Sequence, residues 1–125
     1  MTTVLNRDKV QASTALSKAI GRIAELWRLT NQQLAEILGV SGATASRLRD
    51  GRFELDPRSK SFEAAQYLVR LFRSLDALVG SDDQAARDWL RTANLDLEHP
   101  PIELLPTFTG LSRVCDYVDA FRARV

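Results

Sequence analysis

The window that most constrains this chain is Asn31-Gln-Gln-Leu-Ala-Glu-Ile-Leu-Gly-Val-Ser-Gly-Ala-Thr-Ala-Ser-Arg-Leu-Arg-Asp50. Two short helices that cross at a steep angle need a small residue where they touch, a glycine at the turn and apolar residues on their facing sides. Ala35 supplies the first, Gly39 the second, and Leu34, Leu38, Val40, Ala45 and Leu48 the third. Just ahead of the window, Thr30 and Gln33 have the spacing of a capping box, in which each side chain satisfies a free backbone N–H. Gly39 is the residue type best able to take the left-handed conformation that ends a helix, and Ser41 can cap the next one. The window therefore predicts a helix-turn-helix.

The rest of the chain follows the same periodicity. Apolar residues recur at spacings of three and four, and no run of alternating β-branched residues appears, so the expected fold class is all-α. A first helix is expected from about Lys9 to Leu29, burying Leu16, Ile20, Ile23 and Trp27, with Ala19 and Leu26 widening the stripe. Arg52 to Pro57 reads as a linker, because Pro57 lacks an N–H and disfavours helix at Asp56, and Glu54, Asp56 and Arg58 read as its solvated charges. A long helix over 61–79 presents Phe62, Ala65, Leu68, Val69, Phe72 and Leu75, and stops at Gly80. Ser81 and Gln84 form a second capping box ahead of a helix carrying Trp89 and Leu90. Residues 94–101 form a loop, Ile102–Leu105 one short turn between prolines, and a last helix begins near Thr109.

A helix-turn-helix reads duplex DNA by laying its second helix in the major groove, with the N-terminal residues of that helix at the base edges. Gly42, Ala43, Ser46 and Arg47 fall there. Arg47 is the natural bidentate partner of guanine, and small residues permit close approach and contact with a thymine methyl. Ser41 lies on the same outward face. Gln32 and Gln33, at the start of the preceding helix, together with Thr44, Arg49 and Arg52, are expected on phosphates, which set register without reading sequence. Residues 1–55 carry a net charge of +3 and residues 56–125 a net charge of −2, summing to the +1 of the whole chain. A basic front half suits a polyanionic partner. One such module offers a short reading surface, so a dimer reading two half-sites is expected.

Composition excludes several other classes. No apolar run approaches the roughly 18 residues needed to cross a bilayer, and Met1–Asp8 lacks the apolar centre of a signal peptide. One cysteine and one histidine rule out an internal disulfide and a Cys/His zinc cluster. No glycine-rich phosphate loop, Ser/His/Asp set or histidine pair stands in the sequence, so no catalytic residue, metal or cofactor is expected. The chain reads as a soluble cytoplasmic binding protein. His99 reads as a loop residue, Cys115 as a small core residue, Trp27 and Trp89 as core anchors, and Asp82-Asp83 as the stabilised start of a helix.

The second half carries an ordered series: Asp88-Trp-Leu-Arg-Thr-Ala-Asn94, His99-Pro-Pro-Ile-Glu-Leu-Leu-Pro-Thr107 and Gly110-Leu-Ser-Arg-Val-Cys115. With Trp89-Leu90, Pro101-Ile-Glu-Leu-Leu105 and Gly110 as its most specific parts, it resembles the toxin-binding domain of Xre/MbcA/ParS-like antitoxins. Together with the helix-turn-helix, the resemblance covers about residues 15–125. It implies an antitoxin that covers the active-site entrance of a RES-domain toxin, a consumer of NAD, and that binds its own promoter to repress the operon. Its partners would be that toxin and operator DNA, in a homodimer or a higher hetero-oligomer with toxin. The implied division is an arm over 1–12, a DNA-binding domain over 13–58, and a toxin-binding and dimerisation domain over 59–125. The end of the last helix is the candidate toxin contact: Tyr117, Phe121, Arg122, Arg124 and Val125, with the two arginines and the terminal carboxylate facing an acidic, nucleotide-sized pocket. The alternative is a free-standing helix-turn-helix repressor with no toxin.

Overall fold

In the computed structural model, which describes residues 2–124 without side-chain placement for 2–7, 9, 10 and 124, the described chain is helical with no strand. The helices are α1 (Thr2–Leu26), α2 (Asn31–Leu38), α3 (Gly42–Arg49), α4 (Lys60–Leu78), α5 (Asp83–Arg91), α6 (Pro101–Leu104) and α7 (Phe108–Arg124). α1 starts earlier than its apolar stripe announced and ends before Leu29. The end is set by Arg28, which takes the left-handed conformation (φ 53°) that a glycine usually provides.

α1 and α4 form the spine. Ile20, Ile23 and Ala24 of α1 and Trp27 just after it are buried, as are Ala64, Ala65, Leu68, Leu71 and Leu75 of α4. Trp27 and Phe72 bring the two helices together with ring centroids 5.6 Å apart. α2 and α3 close one side of this spine, and α7 lies along the other face of α4 with Leu111, Val114, Cys115 and Val118 inward. One continuous cluster of apolar side chains runs from Leu34 in α2 to Val118 in α7. Both halves of the chain thus share one hydrophobic core, which is the main stabilising term.

The linker after α3 is solvated at Arg52, Glu54, Asp56 and Arg58 but tied down at Leu55. Leu55 is 2 % exposed, and both of its backbone polar groups are held by α1. Its N–H donates to Ser17 Oγ at 3.1 Å, and its carbonyl accepts from Ser13 Oγ. Ser13 and Ser17 are one helical turn apart on one face, so their hydroxyls bracket a single residue of extended chain. Pro57 does end the extended stretch, and Ser59 caps α4 by accepting from Phe62 N–H at 3.1 Å.

A second correction concerns α5. Ser81 is not its cap: Gly80 and Ser81 both adopt positive φ (64° and 61°), and the Ser81 hydroxyl turns back to Asp76 Oδ2 at 3.0 Å. Asp82 caps instead, accepting from Ala85 N–H at 3.1 Å. A carboxylate there also gains from the positive end of the helix dipole. Trp27 is a core anchor as expected, whereas Trp89 is half-buried and stacks on Tyr117 at 6.5 Å.

Gly110 has a steric reason to be glycine. A Cβ placed there would lie 1.9 Å from the Leu104 carbonyl oxygen. The backbone of α6 crosses the first turn of α7 at that point, and only hydrogen fits between them. Thr107 caps the same turn, accepting from Gly110 N–H at 3.0 Å.

Candidate DNA-reading and toxin-binding surfaces

The helix-turn-helix is built as its sequence dictates. Thr30 and Gln33 make the reciprocal capping box, with Gln33 N–H to Thr30 Oγ1 at 3.0 Å and Thr30 N–H to Gln33 Oε1 at 2.8 Å. Gly39 closes α2 in the left-handed conformation (φ 70°), and its neighbour Val40 donates to the Ala35 carbonyl. Ser41 caps α3, accepting from Thr44 N–H at 3.0 Å. Ala45 and Leu48 are buried, so the opposite face of α3 is fixed outward.

That outward face carries most of the expected reading residues. Ser41, Gly42, Ala43 and Arg47 are exposed, and Thr44 and Ser46 are half-buried beside them. A Cβ on Gly42 would meet nothing, so the first turn of α3 is open to close approach. Arg47 lies on the Thr44 hydroxyl at 3.4 Å with its guanidinium at the surface. Gln32 is exposed at the start of α2, bonded to Glu36, and Arg52 is exposed beyond α3, paired with Asp50 at 2.9 Å.

Arg49 and Gln33, both expected on phosphates, also make contacts within the protein. Gln33 spends its side-chain oxygen on the capping box. Arg49 turns inward: it donates to Asn31 Oδ1 at 2.6 Å, to the Ala24 carbonyl at 3.1 Å and to the Leu29 carbonyl, with Glu25 at 3.5 Å. Its side chain is only 19 % exposed. The last carbonyls of a helix have no partner within it and attract cations, and Arg49 meets that need at the end of α1. No local pattern announces this, because a last-turn arginine on a polar face looks the same whether it points to solvent or to a neighbour.

Two further arginines reach the same helix end from α5. Arg87 Nη1 donates to the Leu26 carbonyl at 2.9 Å, and Arg91 Nη2 donates to the carbonyls of Trp27 at 2.7 Å and Arg28 at 3.1 Å. The end of α1 is therefore gripped from the recognition helix on one side and from the second half of the chain on the other.

The second surface lies over α5, the 94–99 loop and α7. Trp89 and Tyr117 stack, and Tyr117 meets Phe121 edge-on at 4.9 Å. Tyr117 donates its hydroxyl to Asp96 Oδ2 at 2.7 Å. Phe121 is 37 % exposed and Arg122 is exposed. The Arg124 side chain and Val125, both expected at the toxin, lie outside the described residues. Elsewhere on α7, Arg70 of α4 clamps the helix at the surface, bonding Asp119 at 2.6 Å and Asp116 at 3.0 Å and lying over the Tyr67 ring at 5.7 Å. Burial works against ionised Asp119, but the Ser74 hydroxyl at 2.5 Å and the Arg70 guanidinium outweigh it and hold its carboxyl below the usual range. The remaining single residues fall where expected: Cys115 is buried with its thiol on the Tyr67 carbonyl, and exposed His99 stands 4.0 Å from Glu103.

Both surfaces have counterparts in known families. Residues 7–70 match the antitoxin Xre-like helix-turn-helix domain, and residues 74–124 match the antitoxin Xre/MbcA/ParS C-terminal toxin-binding domain. The chain belongs to the Xre antitoxin family. No curated protein matches its sequence.

The two matches meet inside α4, between Arg70 and Ser74. The antitoxin thus passes from its helix-turn-helix to its toxin-binding domain along one unbroken helix. The toxin-binding domain also contains a feature the sequence reading passed over. Within the 94–99 loop Leu97 is buried, whereas Leu95, two residues earlier, is 97 % exposed. Alternation of that kind in a loop leaves no periodic trace. Among the described residues no group of His, Cys, Asp or Glu is placed to hold a metal ion, and no helix is long and apolar enough to cross a membrane.

Proposed function

We propose that this antitoxin neutralises a RES-domain, NAD-consuming toxin by covering its active site, and that it represses its own operon by binding the promoter in the cytoplasm. The observation that carries the reading is the joining of an outward-facing α3 to a toxin-binding domain through α4 and a shared core. Operator contact is assigned to Gln32, Ser41, Gly42, Ala43, Thr44, Ser46, Arg47 and Arg52, with Gln33 and Arg49 holding the two helices in place behind them. Toxin contact is assigned to Tyr117, Phe121, Arg122, Arg124 and Val125. In this division residues 13–58 read DNA, behind an arm over 1–12, and residues 59–125 bind toxin and pair two copies, since a single α3 spans only part of an operator.

The test is co-expression with the RES-domain protein of the same operon, reading cellular NAD, alongside a gel shift on the upstream DNA at stated salt. The reading requires that NAD be restored and that the shift weaken steeply as salt rises, because phosphate contacts release counterions. A specific shift without rescue of NAD would leave a free-standing repressor. Rescue without any shift would leave a neutralising protein whose helix-turn-helix does not touch DNA.

A further inference from the structure

We infer that Leu95 is an anchor of the toxin interface, seated in an apolar recess of the toxin whose rim is basic. The inference deepens the proposed function and rests on it. A solitary exposed leucine on a protein surface is ordinary; this one is set apart by how firmly it is held out.

The loop that carries Leu95 is pinned from every side. The Asn94 side-chain oxygen accepts from the N–H groups of Asp96 at 2.9 Å and Leu97 at 3.0 Å. Asn94 N–H reaches the His99 carbonyl at 3.2 Å, and Glu98 N–H reaches the Asn94 carbonyl at 2.7 Å. Tyr117 and Arg113 of α7 fix Asp96 through its carboxylate and its carbonyl, at 2.7 Å and 3.4 Å. Leu97 is locked in the core. Leu95 cannot fold back without breaking this set, so the loop presents it to solvent as a preformed knob. A loop whose backbone is already held in one shape has only the Leu95 rotamers left to order on association.

Its surroundings identify the occupant. The neighbouring Asp96 is bonded to Tyr117, which joins Trp89 and Phe121 in the aromatic cluster. Leu95 is thus one residue along the chain from the Asp96 that ties the loop to this aromatic cluster, and aromatic side chains of that kind are enriched at the centre of protein interfaces. All of these residues lie within the stretch matching the toxin-binding domain, which makes the knob continuous with the surface assigned to the toxin. The flanking acids Asp96 and Glu98 are exposed, and complementary potential across an interface then calls for lysine or arginine around the recess.

The test uses the full-length antitoxin and the purified RES-domain protein of the same operon, with affinity read by calorimetry. Leu95→Asp should weaken binding by roughly tenfold or more, as truncation of an anchor does, while Leu95→Met stays near wild type. Unchanged melting temperature and operator shift in Leu95→Asp would assign that loss to the interface. Wild-type affinity in Leu95→Asp overturns the inference. So does a change in the antitoxin's own sedimentation at unchanged toxin affinity, which would give the knob to a second copy of this chain. If the wild-type antitoxin itself fails to bind the RES-domain protein, the proposed function falls and takes the inference with it.

Discussion

Arg91 of α5 donates to the carbonyl oxygen of Trp27 at the end of α1, at 2.7 Å. The bond joins residues 64 apart in sequence, and it lies a few residues from the carbonyls that Arg49 takes from the other side. The end of α1 is thus the meeting point of recognition helix and toxin-binding domain. Replacing Arg91 by alanine removes the charge-assisted bonds to the Trp27 and Arg28 carbonyls and should lower stability by about 1 kcal/mol. Urea unfolding checks it: the midpoint should fall with no change in slope.

Arg47 and Arg49 are separated by one residue and should behave oppositely. Arg47→Ala should leave the unfolding midpoint within about 0.5 kcal/mol of wild type while weakening specific operator binding by roughly 1–3 kcal/mol. Arg49→Ala should lower the midpoint itself, because it strips the Leu29 carbonyl of its arginine donor and leaves the Ala24 carbonyl with the Leu29 N–H alone. Parallel gel shifts and denaturation curves on the two variants decide the matter. Equal loss of stability in both would refute the division of roles.

Gly110 and Gly42 form a second contrasting pair. A methyl group at Gly110 drives into the Leu104 backbone, where nothing flexible can yield, so Gly110→Ala should cost about 3 kcal/mol or more. Gly42 faces open space in the first turn of α3, and Gly42→Ala should be neutral or stabilising by up to about 1 kcal/mol. Thermal melts distinguish them readily.

The α4–α7 clamp predicts an acid limit. The Asp119 carboxyl is lowered from its ordinary 3.8 in the folded chain, so the native state binds its proton less readily than the unfolded one. Its contribution is complete above that ordinary value and disappears as pH falls through the folded one. Asp119→Asn should flatten the acid limb of the stability curve and cost roughly 1 kcal/mol at neutral pH.

Cys115 predicts the opposite limb. Burial pushes its thiol up to about 11, with nearby Arg70 opposing the shift and Asp119 and Asp116 adding to it. The unfolded chain releases this proton near 9.0 and the folded chain does not. The stabilisation is therefore fully present below pH 9 and is lost as pH rises toward 11. Alkylation of the native protein at pH 8 should be slow, and should accelerate on addition of denaturant.

Most of the fold could be read from the sequence because its signals are local. Thr30, Gln33, Gly39 and Ser41 specify the helix-turn-helix within one short window, and Gly80 and the prolines mark the later breaks. What escaped depends on partners distant in sequence. Ser13 and Ser17 sit on the same stripe as Ile20 and Trp27, a hint that two hydroxyls face inward, yet nothing in the sequence says that Leu55 meets them. The direction of Arg49 and the exposure of Leu95 are likewise properties of the assembled surface. Of the expected reading face, the exposed positions on α3 could be recognised by helical period alone, while the inward turn of Arg49 could not, because its partners Ala24, Leu29 and Asn31 lie outside its own helix.

The strap at Leu55 bears on how the molecule is destroyed. A protease needs several residues of free backbone to enter its cleft, and the stretch between helix-turn-helix and α4 is tied to two hydroxyls of α1 across its middle. Releasing it takes Leu55 out of the core, so cleavage there should require a larger opening than the fraying of a free loop. The two binding activities should therefore decay with a single half-life, and the release of an operator would coincide with the release of a toxin.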